Sequence, residues 1–87
     1  MQDLKNELKK QIIEELNLPD IKPEDIADDA PLFGDGLGLD SIDALELIVL
    51  IEKYHGVKIL DETVGRKVLA SINSMAEYII EEKSKST

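Results

Sequence analysis

Residues 33–47 read FGDGLGLDSIDALEL, and within this stretch the chain changes from a glycine-rich loop to its most apolar helix. Asp is a preferred N-cap residue, so we predict that Asp40 caps a helix that begins at Ser41. Apolar residues then recur at helical spacing as far as His55, and Gly56 suits the left-handed position after a helix. The start of such a helix stabilises an anion, so Ser41 is either a candidate site for a phosphate ester or part of a plain cap.

The rest of the chain predicts three further helices and no sheet. The spacing of apolar residues predicts a first helix over about 3–16 and a short third helix over about 62–69. The fourth helix is predicted to follow Ser74, with Ser74 and Glu77 forming a capping box, and to end near Glu82.

The connection between the first and second helices is long, and Pro23 is predicted to start a single turn within it. Apolar residues are spread along this connection, so we expect it to be ordered against the helices rather than free. We therefore predict an all-α fold, a small four-helix bundle with a long ordered loop between helices 1 and 2. It forms one domain over 1–82, followed by a disordered tail over 83–87.

The composition limits the possible functions. The 87 residues carry a net charge of −9 and contain no cysteine, which excludes disulfides and thiolate metal sites or nucleophiles. Lys22 is the sole base between Gln11 and Glu52, so the charge argues against nucleic acid or an anionic membrane as partner. It serves either solubility or attraction to basic partners. The longest apolar run, 47–51, is too short to span a bilayer, and we expect a cytoplasmic protein without membrane insertion.

Several other types of site are excluded by spacing. Gly34, Gly36 and Gly38 permit unusual backbone angles, but no Gly-Lys-Ser/Thr follows to hold a triphosphate, and no calcium-loop pattern is present. His55 stands about 21 Å from Ser41 along one helix, too far to act as its base. We therefore predict neither catalytic nor metal-binding residues, and expect His55 to stand where a positive charge suits the helix end.

Three quoted runs carry a resemblance to a known family: GLDSID at 38–43, ALEL at 44–47 and EKYHGVKI at 52–59. With the first-helix pattern and the final SMAEYI, they resemble the acyl carrier proteins over nearly the whole chain. The resemblance implies that Ser41 receives a covalent 4′-phosphopantetheine arm, and that Asp40 supports this modification. It also implies that acyl chains are attached to the terminal thiol of the arm.

The same resemblance implies the partners. They are a phosphopantetheinyl transferase, and ketosynthase, acyltransferase and other fatty-acid or polyketide enzymes that have basic docking patches. The carrier itself is expected to be a monomer. Ile42 stands where Leu is commoner in the family, and residues 63–71 look longer and less acidic than the same region of housekeeping fatty-acid carriers. Both differences favour a specialised pathway over housekeeping lipid synthesis. Two alternatives stay open: an acidic helical adaptor without prosthetic group, and a peptidyl or aminoacyl carrier of the same fold.

The second helix is predicted to have two apolar faces. One face should meet the core, where it is either simply close-packed or parts slightly from the third helix to shelter an acyl chain. Its members are Ala44, Leu47, Ile48, Ile51 and His55, facing Leu8, Ile12, Val68 and Ile79. The opposite face should remain exposed, because so small a bundle cannot bury both. We predict that it is the partner-binding surface, formed by Ile42, Asp43, Glu46 and Val49 with Leu45 beside them.

Overall fold

The computed structural model describes residues 2–33 and 38–86. Within these ranges the chain forms four α-helices and one 3₁₀ turn, and the sole strand-like feature is an isolated bridge between Phe33 and Leu39. The helices are α1 (Gln2–Glu15), α2 (Ser41–His55), α3 (Glu62–Val68) and α4 (Ile72–Ser86), and the turn is Pro23–Asp25. The predicted all-α, four-helix fold is confirmed. No helix in the described ranges is both long and apolar enough to cross a membrane.

The bounds of α2 agree with the sequence-based prediction. Asp40 is its N-cap, and Gly56 follows His55 with a φ of 68° in the left-handed region. The amide of Gly56 donates a hydrogen bond to the carbonyl oxygen of Glu52 at 3.0 Å, which closes the last turn. The glycine therefore ends the helix for the predicted reason.

The predicted start of α4 at Ser74 is wrong, because the helix begins at Ile72. The amide of Ser74 donates to the hydroxyl of Ser71 at 3.2 Å, and the amide of Ser71 donates back to the hydroxyl of Ser74 at 2.9 Å. Two serines thus form the reciprocal cap that was predicted for Ser74 and Glu77. Ile72 is fully buried, so the earlier start also places one more apolar side chain in the core.

The end of α4 also differs from the prediction. The helix continues past Glu82 to Ser86, so 83–86 of the expected disordered tail is helical, while Thr87 lies outside the described residues. The ammonium of Lys85 lies 3.4 Å from a carboxylate oxygen of Glu81, one turn earlier. An exposed pair of opposite charges one turn apart supports the helix end only weakly.

The core lies between α1, α2 and α4 and is built from aliphatic side chains. Leu47 and Ile51 of the predicted core face are fully buried, and so are the predicted facing residues on α1 and α4. Ala44 and Ile48 from the same face are half-buried and turn toward α3 instead. The largest fully buried side chains are Leu8, Ile12, Leu32, Leu47, Leu50, Ile51, Ile72, Met75 and Ile79.

The described part of the long connection is ordered, as predicted, and it is fixed at several points. The ammonium of Lys9 on α1 lies 2.6 Å from a carboxylate oxygen of Asp28, whose carbonyl accepts a hydrogen bond from the amide of Asn73 at 2.9 Å. The amide of Leu32 donates to the carbonyl of Ala70 at 3.1 Å. These contacts hold the connection against α1 and against the junction between α3 and α4, and bring it to the start of α2.

Candidate functional site

The first turn of α2 is stabilised by a reciprocal pair of aspartates. One carboxylate oxygen of Asp40 accepts the amides of Ile42 at 3.0 Å and Asp43 at 3.1 Å. The carboxylate of Asp43 accepts the amide of Asp40 at 3.0 Å. These bonds satisfy amides that a helix start otherwise leaves without partners. Asp40 is thus confirmed as the cap, and Asp43, which we predicted to contact partners, also holds the helix start together.

Ser41 is the first residue of α2, and its side chain is exposed. Its hydroxyl makes no hydrogen bond with residues 2–33 or 38–86. The capping bonds of this turn are accepted by the carboxylates of Asp40 and Asp43 instead. Gly38 precedes the cap with a positive φ of 74°, which confirms the predicted need for a glycine there. The predictions for Gly34 and Gly36 lie outside the described residues. The helix is unbroken to His55, so a Ser-His catalytic pair stays excluded.

A cavity of about 880 Å³ lies between α2 and α3, and Ser41 is one of its lining residues. Its walls are mainly aliphatic, and three of its lining residues are polar or charged: Ser41, Asp61 and Arg66. Asp61 uses one carboxylate oxygen to cap α3, accepting the amide of Thr63 at 2.7 Å. The apolar lining is contributed by Pro31, Phe33, Ala44, Leu45, Ile48, Ile59, Leu60, Gly65, Leu69 and Ala70. Sequence periodicity predicted Ala44 and Ile48 of this wall, whereas it placed Leu45 beside the partner surface and did not predict the part from α3 and its flanking loops.

The solvent side of α2 carries large apolar side chains close to Ser41. Ile42 is 70% exposed, Leu45 64% and Val49 60%. Glu46 lies among them and is also exposed, whereas Asp43 is half-buried. The structure therefore brings the predicted partner-binding residues together on one exposed face, with a carboxylate beside apolar area.

The C-terminal end of α2 is buried against α1. His55 is 7% exposed, and its Nε2 lies 2.8 Å from the side-chain oxygen of Gln11. Burial lowers the pKa of His55 below its usual value of 6.5, so the ring is neutral at pH 7. His55 is thus packed at the helix end as expected, but its burial opposes the positive charge that we expected there.

A second contact next to His55 joins the same two helices. The hydroxyl of Tyr54 donates to the carboxylate of Glu15 at 2.7 Å, and the ammonium of Lys53 lies 3.2 Å from the same oxygen. These two donors lower the pKa of Glu15. This end of α2 thus serves the fold, whereas Ser41 and the cavity lie at the other end.

Comparison with known proteins assigns this arrangement to a class. The family described as a phosphopantetheine attachment site matches residues 6–79, so the chain belongs to that family. An acyl carrier protein of Zymomonas mobilis subsp. mobilis is 32% identical over 84 residues, which cover 97% of this chain and 100% of that protein. An acyl carrier protein of Buchnera aphidicola is 44% identical over 62 residues, which cover 71% and 72%. The chain is accordingly a phosphopantetheine-bearing acyl carrier of fatty acid synthesis.

The described residues fit the 4′-phosphopantetheine group that this family carries covalently. An exposed hydroxyl at the start of a helix can take a phosphodiester, and the helix dipole stabilises the negative charge of such an ester. The apolar cavity beside the hydroxyl can take an alkyl chain. The group supplies the thiol that forms thioesters, which the chain itself lacks because it has no cysteine.

Proposed function

We propose that Ser41 is the residue to which the phosphopantetheine is attached, and that Asp40 supports the attachment. One observation carries the assignment: the hydroxyl of Ser41 is exposed at the first position of α2, and capping does not engage it. Its neighbours Asp40 and Asp43 bring carboxylates to the same turn. A carboxylate there suits a modifying enzyme that uses a divalent cation, because hard cations prefer oxygen ligands.

The proposal extends to the cargo, which we place in the cavity between α2 and α3. Ser41 lines the cavity, and the other lining side chains are mainly aliphatic, the chemistry that an acyl chain requires. Sheltering the chain there removes its methylene groups from water, at about 0.8 kcal/mol for each one buried. A ligand that binds the folded state alone also stabilises the fold.

The partner-binding surface in this proposal is the exposed face of α2 formed by Ile42, Asp43, Glu46 and Val49. The apolar residues of this face lie next to acidic groups and within reach of Ser41. Such a surface suits basic, apolar patches around the active sites of the transferase, ketosynthase and acyltransferase enzymes. Charge then speeds the encounter, and a small contact area allows quick release.

In this role the protein is a monomeric cytoplasmic carrier with no catalysis of its own, folded as one domain. The excluded Ser-His pair supports the absence of catalysis. An adaptor without prosthetic group is disfavoured by the family match, and a peptidyl carrier by relatives named acyl carrier proteins. The specialised fatty-acid or polyketide pathway stays a prediction, for which the genes beside this one are the direct test.

Intact mass after co-expression with a phosphopantetheinyl transferase tests the attachment residue. The wild-type protein should gain the mass of one arm, and Ser41→Ala should gain none while unfolding at the same temperature. Thr63→Ala is the matched control, because it removes another exposed hydroxyl from the first turn of another helix. Modification of the Ser41→Ala protein would place the arm elsewhere.

The same assay tests Asp40. Asn caps a helix nearly as well as Asp, so Asp40→Asn should keep the stability of the fold while it slows modification. Equal rates for Asp40→Asn and the wild-type protein would remove the carboxylate from the reaction and leave it as a cap alone.

A further inference from the structure

Gly65 lies in the interior of α3, where a glycine destabilises a helix relative to alanine. The backbone gives no reason for it, since positive φ angles occur at Gly38 and Gly56 but not at Gly65. Gly65 is also buried, so an exposed-surface explanation does not apply. The remaining reason for a glycine at this position is that the space which a side chain would fill stays open.

That space belongs to the cavity between α2 and α3. A Cβ placed on Gly65 would lie 3.4 Å from Cγ2 of Ile59 and 3.9 Å from Cδ1 of Ile48. Both isoleucines line the cavity, and so does Gly65. Contacts at these distances are ordinary van der Waals contacts, so one methyl group fits without strain. Any larger side chain extends into volume that is now part of the cavity.

Gly65 lies beside Ile48, which is the lining residue of α2 farthest along the helix from Ser41. The α2 wall runs from Ser41 to Ile48, roughly 10 Å along the helix axis at 1.5 Å per residue. Ser41 is exposed at one end, whereas Gly65 is buried against Ile48 at the other. An alkyl chain entering beside Ser41 reaches Gly65 only when it is long enough to fill the cavity.

We infer that Gly65 sets the length of the acyl chain that this carrier shelters. The absence of a side chain at position 65 keeps open the far end of the cavity, and each carbon added there shortens the chain that fits. This inference rests on the proposed function, because it requires the acyl chain to occupy the cavity. It goes further in assigning the chain-length limit to one residue of α3.

The test compares the melting temperatures of the wild-type, Gly65→Ala and Gly65→Val proteins, each loaded with straight acyl chains from butyryl to palmitoyl. For the wild-type protein, the gain in Tm over the unacylated form should rise with chain length and then level off. For the two variants it should level off at successively shorter chains. Each methylene displaced from the cavity should reduce the gain by about 3 to 6 °C.

The unacylated variants separate this effect from simple damage. Alanine favours a helix over glycine, so Gly65→Ala without an acyl chain should melt about 4 °C higher than the wild-type protein. A variant whose unacylated form melts at a higher temperature, but whose Tm rises less when a long chain is attached, has lost cavity volume and has kept its fold. Lys67→Val is the control, because Lys67 is exposed on α3 and does not line the cavity. It should keep the wild-type dependence on chain length.

Methyl NMR of Ile48 and Ile59 gives a second measurement. Long chains should shift both methyl signals in the wild-type protein and shift them less in Gly65→Val. If both Gly65 variants level off at the wild-type chain length, the role assigned to Gly65 is overturned and the sheltered cargo stands. If no acyl chain stabilises even the wild-type protein, the sheltered cargo itself is contradicted, and this inference falls with it. Modification of Ser41 is measured separately by mass.

Discussion

The two ends of α2 have opposite surroundings. At the C-terminal end, Ile51 and His55 are buried, and the helix is held to α1 by Gln11 and Glu15. At the N-terminal end the capping bonds come from residues of the same turn, and Ser41 is exposed beside a cavity. One helix is thus fixed to the bundle at one end and presented to solvent at the other.

The comparison shows how a chain of 87 residues separates stability from function. Burial of aliphatic groups is concentrated where α2 packs on α1 and α4, and it supplies most of the stability. The N-terminal end needs only local hydrogen bonds to stay helical, so its surface residues are free to serve other proteins. Mutations at the two ends should therefore have different consequences.

The largest difference is expected from the same substitution on the two sides of α2. Leu50 is 1% exposed and Leu45 is 64% exposed. Leu50→Ala should lower the free energy of unfolding by about 2 to 5 kcal/mol, because it removes buried methylenes and leaves a cavity. Leu45→Ala should change it by at most about 0.5 kcal/mol. Urea unfolding of the two unmodified variants measures both values, and equal losses would mean that Leu45 belongs to the core.

A smaller effect is expected from His55 as the pH changes. Burial lowers the pKa of His55 in the folded state below the usual 6.5, so the unfolded chain binds the proton more tightly. Stability is therefore fully present above pH 6.5 and is lost as the pH falls toward the lowered value. The loss amounts to about 1.4 kcal/mol for each unit between the two pKa values.

The control for this prediction is His55→Gln, which keeps a neutral hydrogen-bonding group near Gln11. Carboxylates titrate in both proteins, so their contribution cancels in the difference between the two free energies of unfolding. That difference should move in favour of His55→Gln as the pH falls below 6.5. A difference that stays constant over this range would show that His55 is not held neutral by the fold.

The smallest effect on stability, and a selective effect on function, is expected from reversing one charge. Glu46→Lys should leave the fold intact and slow association with a basic transferase, reducing kcat/KM about threefold or more at low salt. Glu52→Lys is the matched control, because it makes the same charge change at an exposed position nearer the anchored end of α2. Equal reductions for both variants would indicate net charge rather than a docking surface.

The helices that depend on local signals were predictable from the sequence. Asp40 and Gly56 determine the bounds of α2 through hydrogen bonds within a few residues of each helix end, and sequence patterns report such bonds well. The start of α4 was not predictable in this way, because Ser71 and Ser74 are both good N-cap residues. Burial of Ile72 decides between them, and that depends on where the other helices lie.

The site was predictable where it depends on one helix and not where it depends on two. The exposure of Ile42 and Val49 follows from the periodicity of α2, but His55 required knowledge of its contact with Gln11 on α1. The capping role of Asp43 had a sequence signal, because it stands three residues after Asp40 as in a capping box. For the cavity, the apolar face of α2 predicted Ala44 and Ile48, but the wall from α3 had no signal beyond Gly65 within a helical stretch, since its shape arises from the spacing of the two helices.

The aspartate pair at the start of α2 has a consequence for the order of events in the life of the molecule. The carboxylates of Asp40 and Asp43 complete the first turn without help from the serine between them. For a carrier modified at Ser41, the helix start is then the same in the unmodified and the modified protein. Neither attachment nor removal of the group requires any part of α2 to unwind. The unmodified protein therefore already has the helix start that the modified protein needs.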